Sequence, residues 1–300
     1  MGAYLGEWLA LLSAFLFACS NIAVAKGAVG GGGDRGAMLS VVITIGVSAI
    51  LWLTVEGGGI GTASDNWWAG IAWFALAGLF ATALGRAFLF VSIRRLGVTR
   101  AAAVKRLNPF FSVILAVVLV GEAASRLDLA GMAMIAIAFA ILIRDAMARS
   151  GEGLEAPPGD YAWGVASALS YAFSYVARKN GLIAIAAPAF GTFVSAVSGL
   201  LVFVVAAVFS SHYRDALLNI FRYANRWLVA AGFLISFGQV SLFAALTYAP
   251  ISTVVMISSL EIFLATFLSI IVFRTERRPG IGTYVAATLA TFGVVAIAAG

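Results

Sequence analysis

Apolar stretches of about 20 residues recur along the whole chain, separated by short polar punctuation. A run of that length, coiled as a helix, matches the hydrocarbon thickness of a bilayer. Composition agrees. The 300 residues are 62% hydrophobic and 11% charged, where a soluble protein carries roughly 25% charged residues. So few charges cannot cover a globule of this size, and lipid must solvate most of the surface. At about 20 residues per span plus a loop, the length accommodates roughly ten helices. The expected fold class is therefore an all-α integral membrane protein with ten transmembrane helices. Collagen, coiled coil, disordered chain and disulfide-stapled domain are excluded; the single cysteine, Cys19, has no intramolecular partner.

The expected spans are approximately 7–29, 37–55, 69–92, 100–120, 128–146, 161–180, 188–210, 226–248, 251–273 and 279–299. Gly30 to Gly36 is a glycine run carrying Asp34 and Arg35, too flexible and polar to stay helical in lipid. Pro188, Pro250 and Pro279 stand where helices can begin, since a first-turn residue needs no amide hydrogen. The tryptophans, among them Trp8, Trp52, Trp67, Trp68 and Trp227, lie close to proposed helix ends, where indoles favour the interface. Met1 to Gly6 lacks Lys and Arg, and the run that follows is long enough to span. It is expected to be a retained helix, not a cleaved signal.

The most specific pattern is a self-match at a shift of 154 residues. It aligns Ser13 with Ser167, Ala18 with Ala172, Ser20 with Ser174 and Gly27 with Gly181, and without a gap Trp73 with Trp227, Gly78 with Gly232 and Glu122 with Glu276. Alanine identities between membrane segments are cheap; a constant offset that also matches Trp and a loop Glu points to duplication. Residues 1–150 and 151–300 are then two five-helix repeats, joined by the polar stretch Arg149 to Asp160. Five is odd, so the second repeat enters the membrane from the opposite side and the two are inverted. Inverted repeats are typical of secondary transporters, with the site near the midplane. The contrasting expectation is a duplicated scaffold without a substrate.

These residues resemble a known family. The helix segment Ser13-Ala14-Phe15-Leu16-Phe17-Ala18-Cys19-Ser20-Asn21, the fourth helix with Asn108-Pro109 ending in Gly121-Glu122, and its repeat ending in Thr275-Glu276 look like the drug/metabolite transporter superfamily, EamA type. The resemblance covers essentially the whole chain and bears on architecture more than on substrate. It implies a multi-pass protein of the bacterial inner membrane, related to exporters of amino acids and similar metabolites.

A charge near the bilayer centre costs about 3 kcal/mol or more, so each needs a reason. Arg86 lies within the third expected helix, Lys105 and Arg106 lie inside the fourth, and Glu261 lies at the middle of the ninth. One expectation is a packing ion pair of Glu261 with Arg86 or Arg106. The other is a wet cavity in which Arg86, Lys105 and Arg106 hold a carboxylate, and Glu261 holds an ammonium or a coupling proton. Arg178 and Lys179 close the sixth expected helix, within reach of the interface. Ser20 and Asn21 are matched in the second repeat by Ser174 and Tyr175. Tyr171 is one turn before Tyr175, and Gln239 is matched with Gly85, beside Arg86. Ser20, Asn21, Tyr171, Tyr175 and Gln239 complete the candidate substrate-binding set, with helix packing as the alternative for each serine and tyrosine. Asn108-Pro109 predicts a kink in the fourth helix.

No enzyme chemistry is expected. His212, the single histidine, falls in an expected loop, and no His/Cys/carboxylate set has metal-ligand spacing. Gly30 to Gly33 lacks the P-loop lysine. No metal, cofactor or nucleic-acid partner is expected; the partners are a small solute and lipid. Of the 19 basic residues, all but Arg126, Arg178, Lys179 and the mid-helix Arg86 lie in or near the odd-numbered loops. The positive-inside rule places those loops in the cytoplasm and both termini outside, whereas the resembled family more often has cytoplasmic termini. The reading is a secondary transporter that exports amino acids or similar zwitterions by alternating access. Its rivals are a carrier of anionic, including phosphorylated, metabolites and a proton-coupled drug exporter.

Overall fold

A computed structural model describes residues 4–27, 33–60, 66–123, 125–150, 157–222, 224–271 and 281–299. The elements are α1 (Leu5–Gly27), α2 (Gly33–Thr54), α3 (Trp67–Gly78), a π-helical segment (Leu79–Leu84), α4 (Gly85–Leu96), α5 (Val98–Lys105), α6 (Asn108–Leu115), a second π-helical segment (Ala116–Val120), α7 (Arg126–Ser150), α8 (Pro158–Ala184), α9 (Pro188–Phe209), α10 (Ser211–Leu218), α11 (Arg226–Tyr248), α12 (Ile251–Ser258), α13 (Glu261–Ile271) and α14 (Ile281–Ala299). Eight stretches are long and apolar enough to cross a bilayer, three of them by joining consecutive elements: Trp67–Leu96, Arg100–Val120 and Ile251–Ser269. The other two expected spans correspond to α8, with 27 residues, and α14, with 19. The chain is an all-helical membrane protein.

Three local expectations change. Helix α2 begins at Gly33, so the last part of the glycine run is helical. His212 sits on the short helix α10, not in a loop. Helix α8 continues to Ala184, which leaves Arg178 almost two turns inside it. Glu276, Pro279, the first three residues of the glycine run (Gly30 to Gly32) and the centre of the inter-repeat linker lie outside the described residues.

The packing exchanges the two halves. Helix α1 lies along α11, and α8 lies along α3 and α4. Helix α2 meets α9, and α7 meets α14, each pairing an element with its repeat counterpart. Small residues permit these approaches. A Cβ on Gly27 would come within 2.8 Å of Leu228, and one on Gly181 would collide with the ring of Phe74. These two contacts are mirror images at the 154-residue shift.

Further along, the shift becomes 153. Ser13 Oγ donates to Gly238 O at 2.9 Å, and Ser167 Oγ donates to Gly85 O at 2.7 Å. A Cβ on Gly238 would press on Phe17, and one on Gly85 would press on Tyr171. The cause is the π-helical segment between Phe74 and Gly85. There the Gly85 amide reaches back to Phe80 O, five residues earlier, which takes up one extra residue within the helix. The ungapped alignment is therefore corrected: beyond the insertion Gln239 corresponds to Arg86, not to Gly85.

The new register also aligns two helix breaks. Arg106 and Leu107 separate α5 from α6, and Ser259 and Leu260 separate α12 from α13. In the first break Pro109 stands at the start of α6, where its missing amide hydrogen does no harm. The second has no proline. Ser259 Oγ donates to Met256 O at 2.5 Å, and the amide of Leu260 pairs with Ile257 O, three residues back. Asn108 and Glu261 begin the continuing helices at equivalent places.

The mirrored glycines give a test. Gly181→Ala should destabilise by about 1–3 kcal/mol through overpacking, and Gly27→Ala by less, because a leucine end yields more easily than a ring. Phe74→Leu, which copies the other repeat, should recover most of the loss in Gly181→Ala. Thermal unfolding of the purified protein in detergent measures all three.

Candidate functional site

A cavity of about 90 Å³ lies between α2, the first π-helical segment, α4, α8, α9 and α11. Arg86, Arg178 and Gln239 line it, with Thr44, Thr192 and Ser195 among its hydroxyl groups. Arg178 is 6% exposed. Its guanidinium lies 5.3 Å from the Tyr175 ring and 5.1 Å from the Phe243 ring, and its Nε has no hydrogen-bond partner. Burial among aromatic faces replaces the expected reach to the interface. Arg86 stands 5.6 Å from the Phe203 ring, and its Nη1 has no hydrogen-bond partner. Cation–π contact offsets part of the desolvation of each guanidinium, but both keep free donors. Among the described residues lining the cavity there is no Asp or Glu. Two cations without a counter-charge make it suited to a bound anion.

A second polar cluster forms at the helix breaks. Asn21 Nδ2 donates to Glu261 Oε1 at 2.6 Å. Glu261 is the first residue of α13, where the positive end of the helix dipole favours a carboxylate. Lys105, the last residue of α5, lies within Coulombic reach of Glu261 and 4.9 Å from the Tyr171 ring. Tyr175 belongs to the cavity cluster, since Arg178 packs on its ring. No ion pair of Glu261 with Arg86 or Arg106 is present among the described residues.

The other candidates have quieter surroundings. Ser20 is buried and donates to Ala231 O at 3.0 Å, holding α1 against α11. Its repeat partner Ser174 bonds Tyr171 O within its own helix. Arg106 is partly buried at the α5–α6 break. Sequence reasoning did not single out Arg178, Thr44 or Ser195 for the cavity. Counting Arg178 from the true end of α8 supplies the missing signal for the first.

At the end of the molecule that carries the N-terminus, the cavity is backed by an apolar cluster. Phe74, Ile185, Phe190, Phe243, Leu246 and Ile251 are all buried within it. Carboxylates close the helix ends that the cluster desolvates. Glu56 accepts from the amides of Ala189 at 2.7 Å and Phe190 at 3.2 Å; Glu122 accepts from Ile251 at 2.6 Å and Ser252 at 3.1 Å. Lys179 Nζ donates to Leu246 O at 2.7 Å and Ala249 O at 3.1 Å, capping the end of α11. The capped amides are first-turn donors with no partner inside their own helix.

The sequence model of the EamA-like transporter family matches this chain twice, over residues 4–144 and 160–299. The chain belongs to that family. It is a multi-pass membrane transporter of small solutes, and the two matches repeat the internal duplication. Among solved structures the fold is similar to one described only as the crystal structure of a protein, at 17% identity and a TM-score of 0.71, covering 97% of this chain and 95% of that one. No curated protein matches the transporter's sequence.

The Asn21–Glu261 bond should show as non-additivity. Asn21→Ala and Glu261→Ala, alone and together, should reveal a coupling of about 1.5–3 kcal/mol in thermal stability, as for a hydrogen bond to a charged group. Additive losses would mean that the bond contributes nothing.

Proposed function

We propose that this transporter exports amino acids or similar zwitterionic metabolites by alternating access through the central cavity. The observation that carries the reading is the pair Arg86 and Arg178, one from each half, facing one cavity with donors unsatisfied. A substrate carboxylate would complete both. Glu261, held by Asn21, would receive the ammonium group or a coupling proton. The apolar cluster lies on the side of the even-numbered loops, away from most of the basic residues. By the positive-inside count that side faces outward, and an apolar barrier there suits an exporter that loads from the cytoplasm.

A second reading is a carrier of anionic metabolites, phosphorylated ones included. It is favoured by the cavity lining, which has two guanidiniums and no carboxylate among the described residues.

Counterflow into proteoliposomes decides. Competition by amino acids but not by organic phosphates supports the first reading; the reverse supports the second. Competition by lipophilic cations alone, or by none of the three classes, contradicts both readings. Arg86→Gln and Arg178→Gln should each weaken apparent affinity about 10- to 100-fold, the equivalent of one charge-assisted hydrogen bond. Unchanged affinity in both variants would remove the cavity from the mechanism.

A further inference from the structure

The π-helical segment Leu79–Leu84 changes what the cavity presents. Upstream, the contacts Gly27–Leu228 and Gly181–Phe74 fix the relation between the repeats at 154 residues. An uninterrupted α-helix would then place Gly85 opposite Gln239. Downstream, the hydrogen bonds to Gly85 O and Gly238 O, and the approaches of Gly85 to Tyr171 and of Gly238 to Phe17, fix the relation at 153. One residue corresponds to about 100° around a helix. The extra residue therefore keeps Gly85 in the tight contact with α8 and delivers Arg86 to the place that Gln239 holds in the other half. Both side chains are half-buried and both line the cavity. Gln239 makes no side-chain hydrogen bond among the described residues.

We propose that Arg86 and Gln239 are a pseudo-symmetric pair that reads the anionic group of the substrate from opposite repeats. They are specificity-determining residues, and the π-helical insertion sets which of these two equivalent positions carries a charge, beside the Arg178 that the second repeat already contributes. The inference rests on the proposed function, since it requires an anionic group in the cavity. It adds that the two positions are interchangeable: a cation at residue 239 should do the work of one at residue 86. A glutamine can still donate an amide hydrogen bond to the same group, which is what the second position requires.

The test is charge transfer across the cavity. Proteoliposome uptake of a carboxylate-bearing solute and of its neutral amide is measured for the intact transporter, Arg86→Gln, Gln239→Arg and the double variant, with thermal stability recorded for each. Arg86→Gln should raise KM at least 10-fold for the carboxylate and leave the amide unchanged. The double variant should return to within about 3-fold of the starting KM. If it fails to fold, Arg86→Gln with Gln239→Cys is made in a Cys19→Ala background and treated with an aminoethyl thiosulfonate, which delivers an ammonium to position 239. Uptake should rise on treatment and fall again on reduction. A folded double variant as weak as Arg86→Gln, or no response to the added ammonium, overturns the pairing while leaving the proposed function standing. If the unaltered transporter moves no anionic or zwitterionic solute, the function reading falls and the pairing falls with it.

Discussion

A backbone amide or carbonyl inside a bilayer has no water to pair with, and leaving it bare costs several kcal/mol. Most of this structure is a response to that constraint. Long helices satisfy their own interiors. Their ends and breaks need outside help, and each of the sites described above where a helix is interrupted within the apolar cluster has it. Glu56 and Glu122 satisfy the starts of α9 and α12, and Lys179 satisfies the end of α11. The serine turn at Ser259 keeps its own amides paired in a tighter geometry. Charged side chains that would be costly alone become useful because the backbone offers them partial charges of opposite sign.

Arg86 and Arg178 depart from this pattern. Their donors are not consumed by the backbone or by a carboxylate among the described residues, and aromatic faces are their main company. Retaining two such groups in a packed membrane protein is costly unless a ligand completes them. The Asn21–Glu261 pair differs, since its carboxylate already has a donor and a nearby Lys105. The two clusters thus divide polarity into an unsatisfied cationic part and a largely balanced anionic part. That division suits a solute with unlike ends.

The all-helical fold was legible from apolar run lengths, and the duplication from Trp73 with Trp227 and Gly78 with Gly232. The break near Asn108-Pro109 was legible because proline cannot continue a helix from within. Its counterpart at Ser259 was not, since Ser258-Ser259-Leu260 contains nothing that forbids a helix. The π-helical segment was also hidden, because Leu79 to Leu84 holds neither glycine nor proline. A trace of it exists in the sequence: Gly85 matches Gly238 and Leu107 matches Leu260 only when the shift drops to 153. Allowing one gap would have aligned Gln239 with Arg86 and Glu261 with Asn108. Arg178 was misread through a helix end placed four residues early, which turned a buried cation into an interfacial one.

The central claim is that a small solute's anionic group completes the two guanidiniums in the cavity. Thermal stability of the purified transporter in the presence of a graded series of amino acids, organic anions and their neutral amides addresses it directly, because a ligand that binds the folded state stabilises it by RT ln(1 + [L]/Kd). The account predicts a concentration-dependent rise in Tm with at least one carboxylate- or phosphate-bearing solute, none with its neutral counterpart, and loss of the rise in Arg178→Gln. Equal stabilisation by an anion and its neutral amide, or a rise that survives in Arg178→Gln, would contradict it.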